Sequence, residues 1–133
     1  MNRTLLRMDA LFLLLAGSIQ LVLEIMGHFF ERGLYAEVFG RSAYTIGFFE
    51  AHGLAVLIAL AVLNDNAKQN LVWHRRLVAI HVLLGGANLL FWQSFVSWDL
   101  VTMGVIATVL HGLFITANAY YLLKEGAIWE QQA

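Results

Sequence analysis

Four apolar stretches, each about long enough to cross a bilayer, each carry a histidine, and that combination constrains this chain more than any other feature. The stretches run Ala10–Phe30, Ala43–Leu63, Leu77–Ser97 and Leu100–Leu123, and hold His28, His52, His81 and His111. Glu24, Glu50, Asn88 and Asn118 fall in the same stretches. An ionisable group at bilayer depth costs at least about 2.5 kcal/mol on insertion scales. One such residue can be an accident of packing; a set spread over every helix reads as a site. The expectation is an all-α protein, a four-helix transmembrane bundle forming one integral-membrane domain over residues 1–133.

Composition agrees. The apolar fraction is 60% and the charged fraction 13%, against about 45–50% and about 25% in soluble domains. The net charge of −1 gives no reason to expect nucleic acid. The chain has no cysteine, which excludes disulfides, thiolate metal sites, iron–sulfur clusters and covalent c-type haem. It has no proline either, so rigid helices are expected rather than the broken helices of many transporters. The first stretch contains Gln20 and Glu24 and is followed by no small-residue cleavage site, so it reads as a span and not a signal peptide.

Lysine and arginine set the expected orientation. Arg3, Arg7, Lys68, Arg75, Arg76 and Lys124 lie on one side, and Arg32 and Arg41 on the other. The first set marks the cytoplasmic face, which places both termini there. Trp73, Tyr120 and Tyr121 then fall near the inner interface, and Tyr35, Tyr44 and Trp98 near the outer one.

Helical spacing tells which polar groups can act together. Gln20, Glu24 and His28 form one stripe, His81, Gly85, Asn88 and Trp92 a second, and Gly104, Thr108, His111 and Asn118 a third. Glu50 and His52 are different. Two residues apart, they diverge by about 200° around the helix and cannot face the same space. One should face its own bundle and the other a neighbouring subunit, a cofactor or lipid. Bland readings stand beside these. Asn88 and Asn118 suit interhelical hydrogen bonding, His81 suits a structural pairing with Asn118, Gly85 and Gly86 suit a close helix crossing, and Trp92 suits packing. His52-Gly53-Leu54 recurs as His111-Gly112-Leu113, and Leu14 to Ser18 echoes Leu83 to Ala87. These echoes point to a two-helix duplication, a reading that competes with chance because short apolar strings repeat readily.

Arg75, Ile80, Val82, Leu83, Gly85, Asn88 and Phe91, followed by Trp92, match the third span of another group of small membrane proteins without gaps. Ala51-His52, with Leu57 in register, matches the second. On these residues the chain resembles the styrene oxide isomerase family over about forty residues, a span of two transmembrane helices. The resemblance implies a homo-oligomer, a trimer, holding haem b at subunit interfaces. It implies that His52 ligates the iron, and that ferric iron acts as a Lewis acid opening an aryl epoxide to an aldehyde. The chain departs from the family at Ile58, Leu84 and Trp92, where the family carries asparagine, aspartate and tyrosine. Those three groups help orient the epoxide.

The expectation is therefore a multi-pass membrane haem b protein, an isomerase of a small lipophilic substrate reached through membrane lipid. His52 is the haem and metal ligand; Glu24, Glu50, Asn88, Trp92 and His111 are the candidate catalytic residues. Two alternatives stand beside it. One is a cofactor-free membrane isomerase using the buried carboxylates and histidine. The other is a small proton-coupled multidrug exporter, with Glu24 as its first-span glutamate.

Overall fold

The computed structural model describes residues 3–33, 36–40, 42–65 and 70–130. Tyr35, Arg41 and Lys68, used above for orientation, lie outside the described residues. Six helices follow one another: α1 Arg3–Phe30, α2 Ala36–Phe39, α3 Thr45–Asn64, α4 Asn70–Leu90, α5 Trp92–Ser97 and α6 Val101–Glu130. No strand occurs among the described residues.

Three of these, α1, α3 and α6, are long and apolar enough to cross a membrane. The stretch expected as a third continuous span is divided. Its helix, α4, begins earlier, at Asn70, and takes in His74, Arg75 and Arg76, which dilute its apolar character. It then stops at Leu90, and Phe91 leaves helical geometry at φ −103° and ψ 26° before α5 begins. Neither proline nor glycine causes this break. It turns the chain so that the Phe95 ring covers Gly104, where an added Cβ would meet the ring 2.8 Å away. Asp99 closes α5 in the left-handed region at φ 54°. The Leu100 N–H donates to Phe95 O at 2.8 Å and the Asp99 N–H to Val96 O at 3.3 Å. This pair of bonds is a Schellman ending, which satisfies the last carbonyls and starts α6 in a new direction.

The chain forms two compact units, residues 7–65 and residues 1–6 with 66–133. The first contains α2, α3 and nearly all of α1; the second contains α4, α5 and α6. In the first, α1 and α3 run antiparallel. Gly17 lies against the His52 carbonyl and Val56, and further along α1 the Glu24 side chain meets His52. In the second, α4 and α6 run antiparallel, with His74 beside Asn118 and His81 beside His111. Buried residues on α4, Asn70, His74, Leu77, His81 and Gly85, repeat at steps of three and four, and those on α6, Gly104, His111, Asn118 and Tyr121, at steps of seven, seven and three. That spacing makes one continuous seam on each helix.

Both units share the order long helix, short helix, long helix. Burial also corresponds. With His52 set opposite His111, Thr45 falls opposite Gly104, Ala59 opposite Asn118 and Val62 opposite Tyr121, and all six are buried. With Gly17 opposite Gly85, Leu6 falls opposite His74, Asp9 opposite Leu77 and Leu13 opposite His81, again all buried. The sequence echo aligns Gly17 with Gly86 instead, one residue out. A Cβ on Gly86 would meet nothing within 4 Å, whereas one on Gly85 would lie 3.1 Å from the His111 Cβ. Only the glycine at the crossing is constrained by its partner helix.

Candidate functional site

Within residues 7–65, Glu24 and His52 form the central pair. Glu24 sits in the middle of an apolar helix and is 1% exposed. His52 Nδ1 lies 2.5 Å from Glu24 Oε1. This is a direct hydrogen bond between imidazole and carboxyl, of the charge-assisted class where either group is ionised. The His52 side chain is 29% exposed, so the ring is anchored on one side and open on the other. Its Nε2 makes no hydrogen bond among the described residues. The Phe48 ring stacks near-parallel to it, with centroids 6.4 Å apart. Glu24 Oε2 is buried and has no hydrogen-bond partner among the described residues.

Beside this pair is a cleft of about 400 Å³. Glu24 and His28 line it, with Thr45 and apolar walls from Ile25, Phe29, Ile46 and Phe49. His28 is oriented by its Nδ1–H, which donates to the Gly40 carbonyl at 3.1 Å, and by edge-to-face contact with Phe29. The carbonyl can only accept, so the bond fixes which His28 nitrogen carries the proton. Gln20, Glu24 and His28 thus share a helix face, but only Glu24 is fully buried.

Glu50 is exposed on α3. It and His52 turn apart as their spacing requires, and it is His52 that faces its own unit.

The second unit carries a different polar pattern. His81 and His111, both buried, bond Nδ1 to Nδ1 at 2.8 Å. One must donate and the other accept, so in the neutral pair the two rings are opposite tautomers. His81 also stacks on Phe114, with centroids 5.3 Å apart. One heptad away, His74 Nδ1 donates to Asn118 Oδ1 at 2.5 Å. Asn118 Nδ2 donates in turn to the Phe114 carbonyl at 2.8 Å, which aims the amide oxygen at His74. His74 packs against the Tyr121 ring, 4.2 Å between centroids.

The expected pairing of His81 with Asn118 is therefore replaced by two others. His81 takes His111, and Asn118 takes His74. The reason is antiparallel register: the spacing between His111 and Asn118 on α6 equals that between His74 and His81 on α4, so the four residues pair in two layers. His111 meets another imidazole, that of His81. Asn88 is half-buried on α4, and Trp92 is half-buried on α5 with its ring against Phe95. Both belong to the second unit, with His111. Among the described residues, no three His, Asp or Glu side chains gather as a metal-ion cluster.

Sequence reading missed His74, which it placed in a loop, and Asp9, which is fully buried in α1. His74 had a usable signal: it continues the His81–Gly85 stripe one heptad toward the N-terminus.

The chain is thus an all-helical protein with three helices suited to a membrane and a carboxylate–imidazole pair beside a cleft in one of its units. No family model, curated protein or solved structure matches it.

Proposed function

We propose that this chain is a multi-pass membrane protein that binds haem b through His52 and isomerises a small lipophilic substrate. One observation carries the reading: the hydrogen bond between His52 Nδ1 and the buried Glu24. A histidine that ligates a metal through one nitrogen characteristically donates the other N–H to a carboxylate or carbonyl. Here Glu24 takes Nδ1, which leaves Nε2 as the nitrogen for a metal and fixes the ring's tautomer and direction. A carboxylate acceptor also makes the imidazole a more basic ligand. These residues fit the group that the family resemblance implies. When bound, ferric haem supplies the Lewis acidity that an epoxide-to-aldehyde isomerisation needs. The chain's own contribution is to hold the ligand nitrogen in a fixed direction and keep the site apolar.

In this reading α4 is a fourth transmembrane helix, with both termini cytoplasmic. Glu50, exposed on an apolar helix, then faces a second copy in a homo-oligomer, because a carboxylate open to lipid is costly.

The test is spectroscopic. Protein expressed with ample haem should show a Soret band. His52→Ala should abolish or strongly shift it, and His81→Ala should leave it in place. A folded but colourless wild-type protein would remove the haem reading. The hydrogen bond between Glu24 and His52 would then favour the second reading, a cofactor-free isomerase in which Glu24 moves a proton. Turnover in haem-free protein, lost in Glu24→Gln, would select it.

A further inference from the structure

α3 carries two lengthwise seams on opposite faces. The inner one is Thr45, His52, Ala55, Ala59 and Val62, all buried except the half-buried His52. Ala55 and His52 meet α1 at Gly17 and Glu24. The outer seam is offset by two residues, about 200° around the helix. It holds Gly47, Glu50, Leu54, Leu57, Ala61 and Asn64, all six exposed. Their alternating steps of three and four are those of a helix packed along another helix.

α6 shows the same seam in a form suited to lipid. With His111 set opposite His52, it holds Ile106, Val109, Leu113, Thr116, Tyr120 and Leu123, again all exposed. The Thr116 hydroxyl donates to its own helix, to Gly112 O at 2.9 Å. Val109 stands where α3 has Glu50, and Leu123 where it has Asn64. The α3 face is the less suited to hydrocarbon. Glu50 lies five residues inside a helix long enough to span the bilayer, about 7–8 Å along its axis. A carboxyl open to lipid there is costly.

Resting on the membrane reading above and deepening it, we propose that the outer seam of α3 packs in parallel on the same seam of a second copy, Glu50 against Glu50 and Asn64 against Asn64. Copies inserted the same way round are related by rotation about the membrane normal, so each seam residue meets itself at its own depth. A side-chain amide both donates and accepts, and so does a carboxyl that keeps its proton. Both polar residues of the seam can therefore pair with their own kind. Gly47 and Ala61 flank the central Leu54 and Leu57, and small residues there let the two helices approach.

The chain has no cysteine, so single cysteines report the contact. Two differently tagged forms of the full chain are co-expressed and oxidised in their membranes. Leu54→Cys and Leu57→Cys should form disulfides that join both tags. Leu60→Cys, off the seam, and Leu113→Cys, on α6, should not. Energy transfer between labelled copies in lipid bilayers then measures their affinity. Glu50→Val, which copies the α6 face, should weaken association about threefold to tenfold, the worth of an interhelical hydrogen bond in a membrane. Glu50→Gln still donates and accepts, and should stay within about twofold of wild type. Every substituted residue is exposed, so the buried pairs are left in place. Seam cysteines that stay unlinked overturn the proposal and leave lipid, or the chain's own second unit, to cover the face. So do stronger disulfides at Leu60→Cys or Leu113→Cys, unchanged association in Glu50→Val, or equal losses in Glu50→Val and Glu50→Gln. Failure here with a normal Soret band removes this interface and leaves the haem reading; association of a colourless protein does the reverse.

Discussion

Gly85 on α4 lies directly against His111 on α6, so that a methyl group added at Gly85 would stand 3.1 Å from the His111 Cβ. The absence of a side chain there lets the helices close far enough for His81 and His111 to share a hydrogen bond. Gly85→Leu should therefore destabilise the protein by about 1–3 kcal/mol, the cost of overpacking a filled crossing. Gly86→Ala, with nothing within 4 Å, should be silent. Thermal melts in one detergent compare the two; equal midpoints for Gly85→Leu and wild type would disprove the close crossing.

The two buried histidines should behave as a unit. His81→Phe leaves His111 Nδ1 without its partner, at a cost of about 1–3 kcal/mol. Adding His111→Phe removes the stranded group, so the double variant should lose less than the sum of the singles. A strictly additive cycle would show that the pair is not coupled.

Tautomers offer a check that needs no mutation. His28 and His74 donate from Nδ1, to Gly40 O and Asn118 Oδ1. Nitrogen-15 NMR should find both carrying a proton on Nδ1. Asn118→Leu should remove the His74 acceptor and shift that signal, leaving His28 unmoved. Neutral rings protonated on Nε2 alone would contradict both bonds.

Glu24→Gln should weaken haem binding by about 10–100-fold, the usual effect of removing a ligand's supporting carboxylate. Glu50→Gln should change it little, because Glu50 points away from His52. Haem titration of apo-protein compares them. Equal effects would separate the Glu24–His52 bond from any role in cofactor binding.

Orientation follows from the distribution of lysine and arginine. A reporter active only in the cytoplasm should work when fused to the C-terminus, and one active only outside should not. The opposite pattern would invert the proposed topology.

Much of the polar pattern was readable in advance. Spacing alone put Gly104, Thr108, His111 and Asn118 on one face, and all but the half-buried Thr108 are buried. It required Glu50 and His52 to part, and they do. It marked Gly85 and Gly86 together as a close crossing, of which Gly85 alone lies against another helix. It failed at His74, because Arg75 and Arg76 beside it read as a loop, whereas one helical turn places the histidine on the buried seam and both arginines on the exposed side. It also passed over Phe91, because a helix broken without proline or glycine leaves no local signature.

The sequence by itself determined an all-helical chain, its apolar stretches and which residues share a face, since these follow from composition and a period of 3.6 residues per turn. Partners were decided by tertiary structure. Whether His81 meets Asn118 or His111 depends on the antiparallel register of α4 and α6, set by where the chain leaves α4 at Phe91 and enters α6 after Asp99. Whether Glu24 or Glu50 holds an imidazole depends on how α1 crosses α3 at Gly17. Helix periodicity is local and survives in any arrangement, while register and crossing are settled by contacts between residues far apart in the chain.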